Sequence, residues 1–275
     1  MSTTSKIDFT SLDGLRLFGT LVVPDGIHGP ATVLVHGGGV DREEGGFFSR
    51  LALGLASANF LSLRFDFRAH GESEGHQEDL TLSAIVNDIR AAADHVRTLT
   101  RTDKVNLIGA SFGGGISALF ASQHPQAINR LVLLNPLLNY KKRFIDDKPY
   151  WHDDRASESA AQLLRSQGFI EHSATFRLGR ALLNEVFCVQ PHRELKHVLA
   201  PTLIVHGTGD TFIPVQSSRD AIALFGNQAE LREIVGAQHG FAVHDDPLYR
   251  DPQTKEWQSQ VIDIVTEWLR YDREV

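Results

Sequence analysis

Between Val105 and Gly115 the chain reads Val-Asn-Leu-Ile-Gly-Ala-Ser-Phe-Gly-Gly-Gly, and this stretch constrains the fold more than any other. An apolar run suited to a buried strand meets a small-residue helix pattern (Ile116, Ser117, Ala118, Leu119, Ala121), with Ser111 at the junction. The glycines of Gly-x-Ser-x-Gly, Gly109 and Gly113, permit a strand-to-helix turn too tight for side chains on either flank. Such a turn holds the serine hydroxyl at the carboxyl edge of a sheet, beside the unpaired N–H groups that open a helix. That is how an activated nucleophile is presented, provided the chain also supplies a base, an orienting acid and donors for an oxyanion.

The surrounding pattern agrees with a sheet of that kind. Lys6–Thr10 and Leu15–Val23 read as antiparallel strands about an Asp13-Gly14 turn, and Pro24 ends the second. Ala31–Val35 is a continuous apolar run, as expected of a strand covered on both faces, Phe60–Phe65 is another buried strand, and Val105–Ile108, Leu131–Leu134, Thr202–Val205 and Glu230–Val235 also read as strands. Helical patterns fall between them at Phe47–Ala58, Leu80–Leu99, Phe112–Gln123, Gln216–Phe225 and from about Gln253 to Tyr271. Leu80–Leu99 is the clearest, with Leu82, Ile85, Val86, Ile89, Ala93, Val96 and Leu99 forming one apolar stripe. Strands alternating with helices predict an α/β fold: a mostly parallel eight-stranded sheet with helices on both faces.

One segment breaks the rhythm. Asn135 to Ala200 is far longer than an ordinary connection. It carries helical patterns at Ala156–Gln167 and Phe176–Val186, and the aromatics Tyr140, Phe144, Tyr150, Trp151, Phe169, Phe176 and Phe187. An insertion springing from the carboxyl edge would overhang a site there, so residues 140–195 are expected to form a helical lid, with 1–139 and 196–275 as the core. Its aromatics could equally make the insertion's own small core.

The missing catalytic parts follow later strands. His239 lies in Val235-Gly236-Ala237-Gln238-His239-Gly240-Phe241, in a loop just after the last predicted strand. With 13 histidines in the chain, only that placement raises it above the others. Asp210, in His206-Gly207-Thr208-Gly209-Asp210, also follows a buried strand, though an aspartate there often serves only a turn. The order Ser111, Asp210, His239 is that of serine-elbow enzymes and differs from the chymotrypsin and subtilisin orders. For the oxyanion, one donor is the Phe112 N–H and the other comes from His36-Gly37-Gly38-Gly39, with Gly38 first and Gly39 next.

Together with Asp66-Phe67-Arg68-Ala69-His70-Gly71-Glu72-Ser73, these motifs resemble an α/β-hydrolase, and more narrowly the bacterial serine esterases acting on cinnamoyl and feruloyl esters. The resemblance covers nearly the whole chain, is strong in the core motifs and is weak in the insertion. It implies Ser111 as nucleophile, His239 as base, Asp210 as its partner, and a carboxylic ester cleaved through an acyl-enzyme. It also implies that the Asp66 stretch is structural, its aspartate bracing the loops behind the oxyanion turn. Gly37-Gly38-Gly39 departs from the bulky residue many relatives carry after His-Gly, which predicts a more open acyl pocket. Thioester, peptide or lactone cleavage needs the same parts, acyl elimination or transfer is compatible with them, and a receptor that keeps only the pocket is the reading from another class. A serine at the elbow argues against the carboxylate chemistry of dehalogenases and epoxide hydrolases, and against the cysteine of dienelactone hydrolases.

Composition sets the remaining expectations. A net charge of −7 argues against nucleic acid as a partner. No apolar run reaches membrane-spanning length, Met1–Asp8 lacks a secretory signal's apolar core, and the single Cys188 allows no internal disulfide. A cytoplasmic enzyme with a small acyl ester as partner, and no membrane, is expected. Exposed sheet edges or lid surfaces could pair it as a homodimer. No cofactor is expected: Gly113-Gly114-Gly115 is explained by the elbow, and no spacing, including His70/His76, matches a metal site. Lys141-Lys142-Arg143 reads first as a solubilising cluster and second as a contact for an anionic substrate.

Overall fold

The computed structural model describes residues 2–27, 29–246 and 249–270, residues 226–228 by their backbone alone. The chain begins as a hairpin, β1 (Ser2–Thr10) antiparallel to β2 (Arg16–Pro24). β1 starts earlier than the predicted Lys6 because every residue from Ser2 onward has a partner on β2. There follow β3 (Thr32–Val35), α1 (Phe47–Ser57), β4 (Ser62–Phe65), α2 (Leu82–Thr100), β5 (Val105–Ala110), α3 (Ser111–Gln123) and β6 (Ile128–Leu134). Thr81 caps α2 by accepting the Ala84 N–H at 3.0 Å. The predicted stripe of α2 is buried from Leu82 to Val96, whereas Leu99, in the last turn, is 44% exposed.

Beyond β6 the chain leaves the sheet. A π-helical turn at Lys142–Asp146 leads to the short pair β7 (Trp151–His152) and β8 (Arg155–Ala156), then to α4 (Glu158–Gln167). A hairpin of β9 (Phe169–Ser173) and β10 (Phe176–Gly179) and the short helices α5 (Arg180–Glu185) and α6 (Pro191–Glu194) complete the insertion. Phe176–Val186, predicted as one helix, is therefore divided. Phe176 and Leu178 are buried with exposed Arg177 between them, a period of two that suits a strand, and only Arg180–Glu185 coils. The chain returns as β11 (Thr202–Gly207), α7 (Gln216–Ile222), β12 (Ala229–Ile234) and α8 (Pro252–Arg270). Tyr271, the predicted end of the last helix, lies outside the described residues. β12 stops before the predicted Val235, which is 84% exposed.

The sheet has eight strands in the order β1-β2-β4-β3-β5-β6-β11-β12. From β4 to β12 neighbouring strands run parallel, and β2 joins β4 antiparallel. Alternation along the central strands sorts side chains between two cores. Val33 and Val35 of β3, Leu107 of β5 and Leu131 and Leu133 of β6 face the α2–α3 side. Leu34, Ile108, Val132 and Leu134 face α1 and α8 on the other. The nucleophile loop, the loop after β3 and the loops after β11 and β12 consequently emerge at one carboxyl edge. Asn135, directly after β6, ties that strand's end to β11: its N–H donates to Val205 O at 2.9 Å, and its Oδ1 accepts the Gly207 N–H at 2.9 Å.

Close approach at the β5–α3 junction makes Gly113 intolerant of a side chain. A Cβ there would lie 2.7 Å from the Val35 carbonyl oxygen, with the His36 carbonyl nearer still. Gly113→Ala is expected to cost about 1–3 kcal/mol, the usual penalty for overpacking. Urea unfolding checks this; an unchanged midpoint would contradict the packing argument.

Candidate active site

β5 ends at Ala110 and α3 begins at Ser111 with no residue between. Ser111 takes a left-handed conformation, φ +49°, which L-residues other than glycine seldom adopt. The first residues of the insertion hold it there. Leu137 N–H donates to Ser111 O at 2.9 Å, and the Tyr140 hydroxyl donates to Phe112 O. Tyr140 is fully buried, and its ring meets Phe112 edge-on with centroids 5.1 Å apart.

Ser111, Asp210 and His239 come together at this edge. His239 Nδ1 lies 2.7 Å from Asp210 Oδ2 and Nε2 lies 3.0 Å from Ser111 Oγ. The carboxylate can only accept from Nδ1–H, so Nε2 is left to accept the serine hydroxyl. Asp210 Oδ1 accepts the N–H groups of Phe212 and Ile213, both at 2.9 Å. Buried His206 adds support that its spacing alone did not reveal: its Nε2–H donates to Ile213 O at 2.8 Å and lies 3.4 Å from Asp210 Oδ2. Burial by itself would raise the Asp210 pKa. The hydrogen bonds from His206 and His239 outweigh it and hold the carboxyl below the ordinary range, so it is ionised beside His239.

Neighbouring amides of the glycine loop have different partners. Gly37 N–H donates to Glu44 Oε1, and Gly39 N–H donates to His70 Nε2 at 3.1 Å. Gly38 N–H has no acceptor among the described residues. Phe112 N–H, in the first turn of α3, has no helical carbonyl four residues before it. Gly39, the second choice from sequence, is thus already committed to His70. Behind the loop, His36 stacks on Phe67 (centroids 4.0 Å apart, planes at 8°) and accepts the Phe67 N–H at Nε2, 3.3 Å away. Burial lowers the pKa of both histidines, that of His70 to about 4, keeping them neutral and able to accept. Asp66 braces the same region by accepting the N–H groups of Arg42 at 2.7 Å and Glu72 at 3.0 Å, together with the Arg42 guanidinium.

A cavity of about 300 Å³ opens over Ser111, walled by Phe144, Phe176, Phe212 and His172 and reached by Arg143, Lys148 and Glu44. The expected open acyl pocket is not there. A Cβ at Gly38 would lie 2.8 Å from Phe176 Cε1, so the ring from β10 fills the space that the missing side chain leaves. In sequence Phe176 is one lid aromatic opening a helical pattern, Lys148 lies in a lid segment with no assigned role, and Glu44 and His172 carry no signal. None of these sits in a motif; they meet only because the insertion folds back over the edge.

Residues 28–166 match the family described as serine aminopeptidase, S33, and the chain belongs to it. It is a serine hydrolase with the α/β-hydrolase fold, and esterases and lipases are among the proteins it is similar to. The monoacylglycerol lipase of Mycolicibacterium smegmatis is 27% identical over 296 aligned residues, spanning 98% of each chain. The monoglyceride lipase of Mus musculus is 32% identical over 129 residues, 46% of this chain and 41% of that one. Est1E from Butyrivibrio proteoclasticus, solved with ferulic acid bound, superposes with a TM-score of 0.78 at 21% identity, covering 96% of this chain and 97% of that one. DcsB, solved with its substrate analogue, gives 0.75 at 20% identity over 98% of both chains. These likenesses bear out the α/β-hydrolase resemblance read from the motifs.

Burial pushes the Glu44 pKa up to about 7, against opposing effects of the Gly37 N–H and His239. Between its ordinary 4.5 and about 7 the unfolded chain releases this proton while the folded chain keeps it, so folding weakens as pH rises through that window and levels off above it. Glu44→Gln keeps an oxygen for Gly37 and removes the titration. It should therefore gain stability over the parent at pH 8 relative to pH 5, measured by urea midpoints; an equal difference at both pH values would contradict this.

Proposed function

We propose that the chain hydrolyses small carboxylic esters through a covalent acyl-enzyme, with Ser111 as nucleophile, His239 as general base and Asp210 as its partner. The observation that carries this reading is the unbroken hydrogen-bonded line from Asp210 through His239 to Ser111, ending in a cavity beside two uncommitted amides. His239 Nε2 takes the Ser111 proton as Oγ attacks the ester carbonyl. The Gly38 and Phe112 amides receive the negative charge that develops on oxygen. The imidazolium, steadied by Asp210, then protonates the departing alkoxide, and a water activated by His239 releases the acid. Residues 140–195 act as the lid over this chemistry.

Two features favour small esters within the class. A cavity of about 300 Å³ is at the lower end for ligand sites, which run from roughly 300 to 1,000 Å³. The charges that the insertion brings to it, on Arg143 and Lys148, have the wrong sign to hold the free α-ammonium of an aminopeptidase substrate. The one cysteine, Cys188, is an exposed free thiol, which suits a reducing compartment, and we place the enzyme in the cytoplasm. No helix among the described residues is long and apolar enough to cross a membrane.

With p-nitrophenyl acetate and butyrate, Ser111→Ala should lose on the order of 10⁵-fold in kcat or more. Asp210→Asn, which keeps Oδ1 for Phe212 and Ile213, should fold normally and lose about 10³–10⁴-fold. Full turnover by Asp210→Asn would move the acid role to another carboxylate, Asp245 or Asp246 being nearest in sequence to His239.

A further inference from the structure

The insertion uses its basic residues in two ways. Lys141 Nζ pairs with Asp146 at 2.6 Å and Asp154 at 2.7 Å, and Lys142 Nζ with Asp147 at 2.5 Å. Arg143 and Lys148 are different. Both are half-buried, both line the cavity over Ser111, and neither forms an ion pair among the described residues. Among the described residues the Arg143 side chain makes one hydrogen bond, from Nη1 to Phe212 O at 3.3 Å, and Lys148 Nζ makes none.

His172 lines the same cavity, with its ring edge-on to Phe144 and Phe176 at centroid distances of 5.1 and 6.0 Å. Its Nδ1 is buried without a hydrogen-bond partner among the described residues. Burial first, then the charges of Lys148 and Arg143, hold its pKa at about 4, so the ring is neutral and both cations are close enough to act on it. Burial and the Arg143 charge likewise lower the Lys148 pKa; Asp147 opposes them, but it is itself engaged with Lys142. Glu44, the carboxyl that lines this cavity, is committed to the Gly37 N–H.

Partly buried cations without counter-charges, beside an orphaned ring nitrogen, are costly unless they serve a ligand. We propose that the ester cleaved here carries a carboxylate, held by Arg143 and Lys148. This rests on the reading of the site as an ester hydrolase and names its substrate class. Arg143 offers the planar fork that a carboxylate matches, Lys148 adds a point charge, and the rings of Phe144, Phe176 and Phe212 suit an apolar or aromatic body between the carboxylate and the ester.

Two matched pairs test it and cover both ends of an ester. One pair is 4-acetoxybenzoate and 4-acetoxybenzamide, with the charge on the alcohol side. The other is monophenyl glutarate and its terminal amide, with the charge on the acyl side. Binding is titrated into Ser111→Ala, and kcat/KM is measured with the parent enzyme. In at least one pair the carboxylate should bind about tenfold more tightly or better, with the same preference in kcat/KM. That ratio should fall in Lys148→Met, which breaks no hydrogen bond, and approach one in Arg143→Met/Lys148→Met. Equal binding of carboxylate and amide in both pairs, or a preference unchanged in the double variant, would overturn the proposal. A binding preference without any hydrolysis would support it and count instead against the role given to Ser111.

Discussion

The site depends on one strained junction, where a strand becomes a helix within a single peptide and leaves Ser111 left-handed at φ +49°. A non-glycine residue held so costs about 1–3 kcal/mol, and the packing around it must over-determine the conformation. β5 and the body of α3 are buried almost throughout, and Leu137 and Tyr140 fasten the carbonyls of Ser111 and Phe112. The same contact couples nucleophile to oxyanion loop. Gly113, in the first turn of α3, lies against the carbonyls of Val35 and His36, where β3 gives way to the glycine loop. Register between β3 and β5, with Val35 opposite Gly109, thereby sets the spacing of Gly38 from Phe112.

Buried polar groups fix the rest of the loop. Neutral His36 and His70 and the Asp66 carboxyl hold backbone N–H groups, so the amides aimed elsewhere are accounted for and Gly38 is the one left over. Electrostatic preorganisation of this kind needs no rearrangement when charge develops on the substrate. The insertion contributes by a different logic. It puts Phe176 against Gly38, closing the space a bulky loop residue would have taken, and brings Arg143 and Lys148 to a cavity whose carboxyl, that of Glu44, is tied to the loop.

Legibility in the sequence follows how local each determinant is. The central strands β3, β5, β6 and β11 were readable because both faces are buried, so their residues are mostly apolar. The elbow was readable because two close approaches demand glycine at fixed spacing. Asp210 and His239 could be found because each follows a strand whose carboxyl end must lie at the same edge. Phe176 was not, since a Phe-Arg-Leu-Gly run opening a helical pattern does not announce that it will pair with Phe169–Ser173. Lys141, Lys142 and Arg143 look alike in sequence. Only the fold separates the two lysines paired with aspartates from the arginine that enters the cavity. Glu44 follows Glu43 in an acidic loop, and its raised pKa comes from burial that no neighbouring residue encodes.

The central claim is that Ser111 is a nucleophile activated by His239, and covalent labelling tests it most directly. After reaction with a fluorophosphonate, intact-mass measurement and peptide mapping should find one adduct, on Ser111. It should be absent from Ser111→Ala and form far more slowly in His239→Ala. An adduct on another residue, or labelling of Ser111→Ala at the parent rate, would contradict the account.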